Sequence, residues 1–174
     1  MTMGPTRDLG PCIAEWGGTS LGRTNGGVTF RYSEEDANVV EDQLGTDPVD
    51  KIIVGAPVEV EVPLTRMSLA SLSSVLAGSS GSGTSGSTMT VKSATGTSRY
   101  DRAEELVLKP VLENGSADPT TSRWLHIYKA SPRANFEIIY DNANQRIYNV
   151  VFDGFPDQSG TGPLYRKWGV GPDI

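Results

Sequence analysis

Ile52-Ile53-Val54-Gly55-Ala56-Pro57-Val58-Glu59-Val60-Glu61-Val62-Pro63-Leu64 is the stretch that decides the fold class. It reads as an apolar run, a Gly-Ala-Pro break and then a strict alternation of valine with glutamate. A period of two places Val58, Val60 and Val62 on one face and the carboxylates of Glu59 and Glu61 on the other, as a half-buried strand requires. Leu64 carries the apolar face past Pro63, whose missing N–H suggests an edge position or a bulge.

Upstream, Ile13-Ala14-Glu15-Trp16 reads as a short strand followed by turn-forming Gly17-Gly18. A second turn region, Gly22 to Gly27, leads into Val28-Thr29-Phe30-Arg31-Tyr32, where apolar and polar residues again alternate. Two strands joined by a glycine-rich connection predict a hairpin. The acidic stretch from Glu34 to Asp42 is too polar for a helix, and Gly45-Thr46-Asp47-Pro48 breaks the chain. Residues 34–54 are therefore expected to form an extended arm or hairpin.

Downstream, residues 68–77 are the best helix candidate. Ser68 can cap it, Leu69, Leu72, Val75 and Leu76 share a face, and Gly78 can terminate it. So short a helix must dock its apolar stripe on a sheet. Residues 78–88 are nearly pure Gly, Ser and Thr and predict a flexible, exposed loop within one domain. Strands are expected at 89–91, 105–108, 124–128, 136–140 and 146–152, the last two joined by a turn at Asp141-Asn142-Ala143-Asn144. The tail from Gly154 is expected to be irregular and anchored by Leu164, Tyr165 and Trp168. The whole, residues 1–174, is read as a single, mainly β domain: an antiparallel β-sandwich or barrel-like unit with one short flanking α-helix.

Composition narrows the chemistry. One cysteine, Cys12, excludes a disulfide within the chain, and one histidine with one cysteine excludes a His/Cys zinc cluster. Met1 to Pro11 has no apolar core of a secretory signal, and no run is long enough to span a membrane as a helix. The net charge of −6 argues against wrapping nucleic acid through phosphate neutralisation. His126 sits mid-strand, and Cys12 beside Pro11 has no feature that lowers a thiol pKa, so neither reads as catalytic. The glycine pairs lack a following helix, and residues 78–87 lack the Lys-Ser/Thr ending of a phosphate-binding loop. Glu59 and Glu61 share a face as a glycosidase pair could, but a solvated strand explains them more simply. The expectation is a non-enzyme without a cofactor.

Gly10-Pro11-Cys12, Trp16, Leu21-Gly22-Arg23-Thr24, Gly26-Gly27-Val28-Thr29-Phe30 and Asp42-Gln43-Leu44-Gly45-Thr46-Asp47-Pro48-Val49-Asp50-Lys51 form an ordered set of motifs over about the first third of the chain. This succession resembles the tail tube proteins of tailed bacteriophages, contractile or long-tailed. The resemblance implies a compact β domain whose copies form rings, six to a ring, stacked into a tube through which DNA passes without specific binding. It implies that the chain partners itself, with tail sheath, terminator and baseplate proteins as further partners, and resides in the virion after synthesis in the bacterial cytoplasm. An inter-subunit arm would involve Asp36, Val39, Val40, Asp42, Gln43, Asp47 and Pro48. Glu59 and Glu61, with Glu137, would face the lumen and repel DNA phosphates. The competing readings are another tail or secretion-tube component of similar fold, or a β-sandwich module that binds a ligand on an aromatic platform.

Overall fold

The computed structural model describes residues 10–42, 45–65, 68–81, 88–134, 146–159 and 165–172. It is mainly β, with 49% of the described residues in strands and 8% helical. The main sheet is antiparallel and sandwich-like, and no closed barrel forms. Its members are β1 (Cys12–Trp16), β2 (Thr19–Ser20), β3 (Thr29–Tyr32), β6 (Val58–Leu64), β9 (Glu104–Pro110), β10 (Leu125–Ala134), β11 (Tyr148–Gly154) and β12 (Trp168–Val170). They run in the order β2-β1-β9-β10-β11-β6-β3, with β12 alongside the first part of β10. Two small sheets stand apart, β4 (Glu35–Val40) with β5 (Pro48–Gly55), and β7 (Ser79–Gly81) with β8 (Met89–Val91). The helix α1 spans Leu69–Val75.

The Val/Glu alternation behaves as its period demands. Val58, Val60, Val62 and Leu64 are buried, while Glu59 and Glu61 point to the opposite face. The valines pack with Phe152 and Val150 of β11, Leu106 of β9, Ile127 of β10 and Trp16 of β1. In a flat sheet β1 and β11 would lie three strand spacings apart, about 14 Å. The Trp16 and Phe152 rings nevertheless approach to 6.0 Å, and Trp16 Nε1–H donates to the Ala130 carbonyl at 2.8 Å. The sheet is therefore strongly curled around its core.

Five expectations need correction. The strand Ile13–Trp16 does not pair with Thr29–Tyr32. β1 instead turns back through Gly17 and Gly18 onto β2 and pairs along its other edge with β9, while β3 pairs with β6. Gly17 and Gly18 both have positive φ (55° and 73°), the requirement of a two-residue hairpin turn that matches strand twist. β6 is not an edge strand, since it lies between β11 and β3. Pro63 is tolerated there because its carbonyl accepts from the Asn25 N–H (3.0 Å), so its missing donor faces the side where β3 has ended rather than the β11 ladder.

The loop expected at 78–88 begins as strand β7, and the tail expected to be irregular contributes β12. The strand and turn expected at 136–144, including Glu137, lie outside the described residues. The expected helix is shorter at its C-terminal end. Ser68 caps it through the Ser71 N–H (3.0 Å), as its sequence suggests, but Leu69 is exposed and of the stripe only Val75 is fully buried. The helix stops at the Leu76 cap, whose carbonyl accepts from the Ser79 hydroxyl at 2.9 Å.

Candidate functional site

The β4–β5 hairpin is where the described residues depart most from the rules that the body obeys. Its strands pair only with each other, Asp36 opposite Ile53, Ala37 opposite Ile52, Asn38 opposite Lys51 and Val39 opposite Asp50. Register shifts on both sides of that run bend the pair. Within the regular run, alternation puts Ile53 and Lys51 on one face and Ile52 and Asp50 on the other, while Val54 and Val49 are the extra residues at the two shifts. Neither face is sealed. Val40, Ile52, Ile53 and Val54 are 56%, 54%, 58% and 65% exposed, and Val49 is also in solvent. An isolated two-stranded hairpin is marginal in water, and open strand edges invite pairing with another chain.

Charge singles out the same segment. Residues 34–55 hold seven of the 21 acidic residues and one of the 15 basic ones, a net −6 that equals the charge of the whole chain. The remainder balances at 14 of each sign. Among the described residues none of the seven carboxylates has a basic partner. Glu34 accepts from the Tyr32 hydroxyl (2.9 Å), and Asp50 accepts from the adjoining Lys51 N–H (2.7 Å). That first contact, with burial second, raises the Tyr32 phenol above its ordinary pKa.

The root of the hairpin is tied to the body. Ser33 N–H donates to the Pro57 carbonyl (3.4 Å), and Lys167 Nζ donates to the Ala56 carbonyl (2.6 Å). Beside it, Trp168 of β12 packs on Phe30 and Tyr32 of β3, with ring centroids 5.3 and 5.5 Å apart.

The expected arm residues therefore fall together. Asp36, Val39 and Val40 lie in β4, Pro48 opens β5 opposite Val40, and Asp42 and Asp47 are exposed near the turn end. Gln43 lies outside the described residues. Val39 is the least exposed of the set. The arm set omits the most exposed aliphatics of β5, Ile52, Ile53 and Val54. Their signal was an apolar run without the polar alternation that a half-buried strand shows.

Glu59 and Glu61 are brought to one face, but not as bare carboxylates. Glu59 stands directly opposite Asp153 across the β6–β11 pair, an arrangement that repels unless bridged. Arg133 bridges it, with Nη2 2.8 Å from Glu59 and 3.1 Å from Asp153. Arg31 spans Glu59 and Glu61 at 3.0 Å each, and Arg99 reaches Asp153 at 2.6 Å. Three arginines thus face three carboxylates, and repulsion of a polyanion does not follow from this patch.

No catalytic pair is assembled from Cys12 and His126. Ala14 of β1 and Leu108 of β9 are cross-strand partners on the core face, and Cys12 shares that face; His126, aligned with Val107, faces the other way. Burial raises the Cys12 thiol pKa. His126 is buried between the rings of Trp124 and Tyr128, with Nδ1 2.7 Å from Glu105 Oε1. The three tryptophans occupy separate places: Trp16 in the core, Trp124 bonded to the Asp118 carbonyl, and Trp168 at the hairpin root. They form no common stacking platform. Among the described residues no group of three or more His, Cys, Asp or Glu could hold a metal ion, and no helix is long and apolar enough to cross a membrane. No protein-family model matches the chain, and no curated protein matches it.

Proposed function

We propose that this chain is a structural subunit that polymerises through its β4–β5 hairpin, building the stacked rings of a phage-type tail tube. The observation that carries the reading is the hairpin itself, which leaves apolar residues in water on both faces and, among the described residues, both of its edges unpaired. A neighbouring copy that covers it removes both liabilities at once. Contacts between unlike surfaces of successive copies close into a ring or continue as a filament, the geometry a tube needs. The ordered motifs between Gly10 and Lys51 give the second support, since the last of them spans the hairpin's turn and the start of β5. In this reading DNA passes through the tube without specific contacts, sheath, terminator and baseplate proteins meet its outside and ends, and the chain performs no chemistry.

Negative-stain microscopy of the purified chain at increasing concentration tests the proposal. Rings or hollow tubes are expected, and a chain that stays monomeric at millimolar concentration overturns it. Deleting Asp36 to Pro48 should leave a folded monomer in sedimentation, whereas normal tubes from that variant would remove the hairpin from the mechanism.

A further inference from the structure

An arm with seven uncompensated carboxylates and apolar residues on both faces calls for a surface that is basic and partly apolar. Two clefts flank α1. The first, of about 490 Å3, is lined by Trp16, Leu21, Ser71 and Ser74, and Glu104 is its one charged lining residue. An acidic arm there would meet a like charge, which costs affinity. The second, of about 290 Å3, is lined by half-buried Leu76 and Ala94, by Val75 and Pro132, which are buried, and by Arg99, which also binds Asp153, and Arg102. Arg102 donates through Nη2 to the Ser74 carbonyl (3.2 Å) and has no carboxylate partner among the described residues. Lys92 adds a further positive charge in the adjoining segment, where Asp101 is the one acid between 92 and 102.

We infer that the cleft between α1 and Arg99–Arg102 receives the β4–β5 hairpin of a second copy of this chain. The inference rests on the self-assembly reading and names its receptor. Charge decides between possible occupants. Two hairpins meeting symmetrically would juxtapose two segments of −6 each, whereas hairpin against cleft joins opposite signs, with Leu76 and Ala94 half-buried beside the arginines. The same charge asymmetry therefore disfavours a closed two-fold dimer and favours head-to-tail growth. Complementary fields also steer the encounter, so assembly should slow as salt is added.

The test uses the full chain. In a Cys12→Ser background, Ile53→Cys and Thr97→Cys chains are made separately and mixed under oxidising conditions. Disulfide-linked dimers are expected from the mixture, and little product from either chain alone. Linkage within the Ile53→Cys chains alone, or none from the mixture, overturns the inference. In parallel, Arg102→Glu should raise the concentration needed for assembly at least tenfold, and Asp36→Lys with Asp50→Lys should recover part of that loss. An unchanged circular dichroism spectrum and urea midpoint separate this effect from a loosened α1. If Arg102→Glu assembles like the parent while the 36–48 deletion stays monomeric, the receptor is wrong and the self-assembly reading stands. If the deletion variant assembles, both fall.

Discussion

Val58, Val60 and Val62 are sealed beneath a curled sheet, while Ile52, Ile53 and Val54, a few residues earlier in the same chain, stand in water. The body and the hairpin share strand chemistry, but they differ in where its demands are met. In the body each exposed charge near the Val/Glu strand is answered by another from a distant strand, Arg31 and Arg133 for Glu59 above all. In the hairpin most of the aliphatics are uncovered, and the carboxylates find no basic partner among the described residues. One region meets its demands within the chain, and the other, in the proposed reading, would have them met by a neighbouring copy.

The largest effect expected from this contrast compares Phe152→Ala with Ile53→Ala. Phe152 is fully buried against Trp16 and the β6 valines, so its truncation should lower the unfolding free energy by about 3–5 kcal/mol in urea titration. Ile53→Ala should change monomer stability by about 0.5 kcal/mol or less, as exposed sites usually do. A cost for Ile53→Ala that rivals Phe152→Ala would mean that the hairpin belongs to the core, and the comparison would break.

A smaller effect belongs to the helix that borders the inferred cleft. Ser68→Ala removes the side-chain cap on the Ser71 N–H and should cost about 1 kcal/mol. Because the change lies at the far end from Val75, Leu76 and the arginines, assembly should survive it. Lost assembly with an intact urea midpoint would show that the helix start is itself part of the interface.

Smaller still is the charge network on the Val/Glu strand. Arg133→Met leaves Glu59 and Asp153 opposed without a bridge, but all three side chains are partly exposed to solvent. The loss should be about 1 kcal/mol or less and should shrink in 0.5 M salt. A larger, salt-insensitive loss would show that this face is covered.

The last effect appears only in acid. Asp157 is held below the ordinary carboxylate pKa by the Ser159 hydroxyl first, then the Ser159 N–H, and then Arg166. Asp118 is held down in the same way by the Thr120 N–H, the Thr120 hydroxyl and Arg123. A depressed folded pKa contributes stability that is fully present above the unfolded value of about 3.9 and is lost as pH falls through the folded value. The urea midpoint should therefore hold from pH 7 to 5 and drop below about pH 4, with a shallower drop for Asp157→Asn. A parent chain as stable at pH 2.5 as at pH 6 would refute the assignment.

Local pattern was readable wherever one segment carried its own signal. The period of two in 58–62, the Ser68 cap and the turn that separates two extended segments in 34–54 were all visible in it. Pairing was not, because partners are chosen across the whole chain. β1 meets β9 some ninety residues later, and nothing near Trp16 names Leu106. The Gly17-Gly18 turn was visible, but Thr19–Ser20 is too short to look like a strand. The arginines that neutralise Glu59 come from 28 residues before it and 74 after it. A single strand's sequence could show that face as acidic and could not show it as paired.

The Lys167 bond to the Ala56 carbonyl has a mechanical consequence. Eight residues of β5 make a lever about 25 Å long, pivoting where Ser33, Pro57 and Lys167 meet. A swing of about 10° at that pivot carries the tip about 4 Å, nearly one strand spacing. The C-terminal segment, remote in sequence, thus fixes the root of the hairpin, and in the proposed assembly an error there would displace the joint between subunits by that distance.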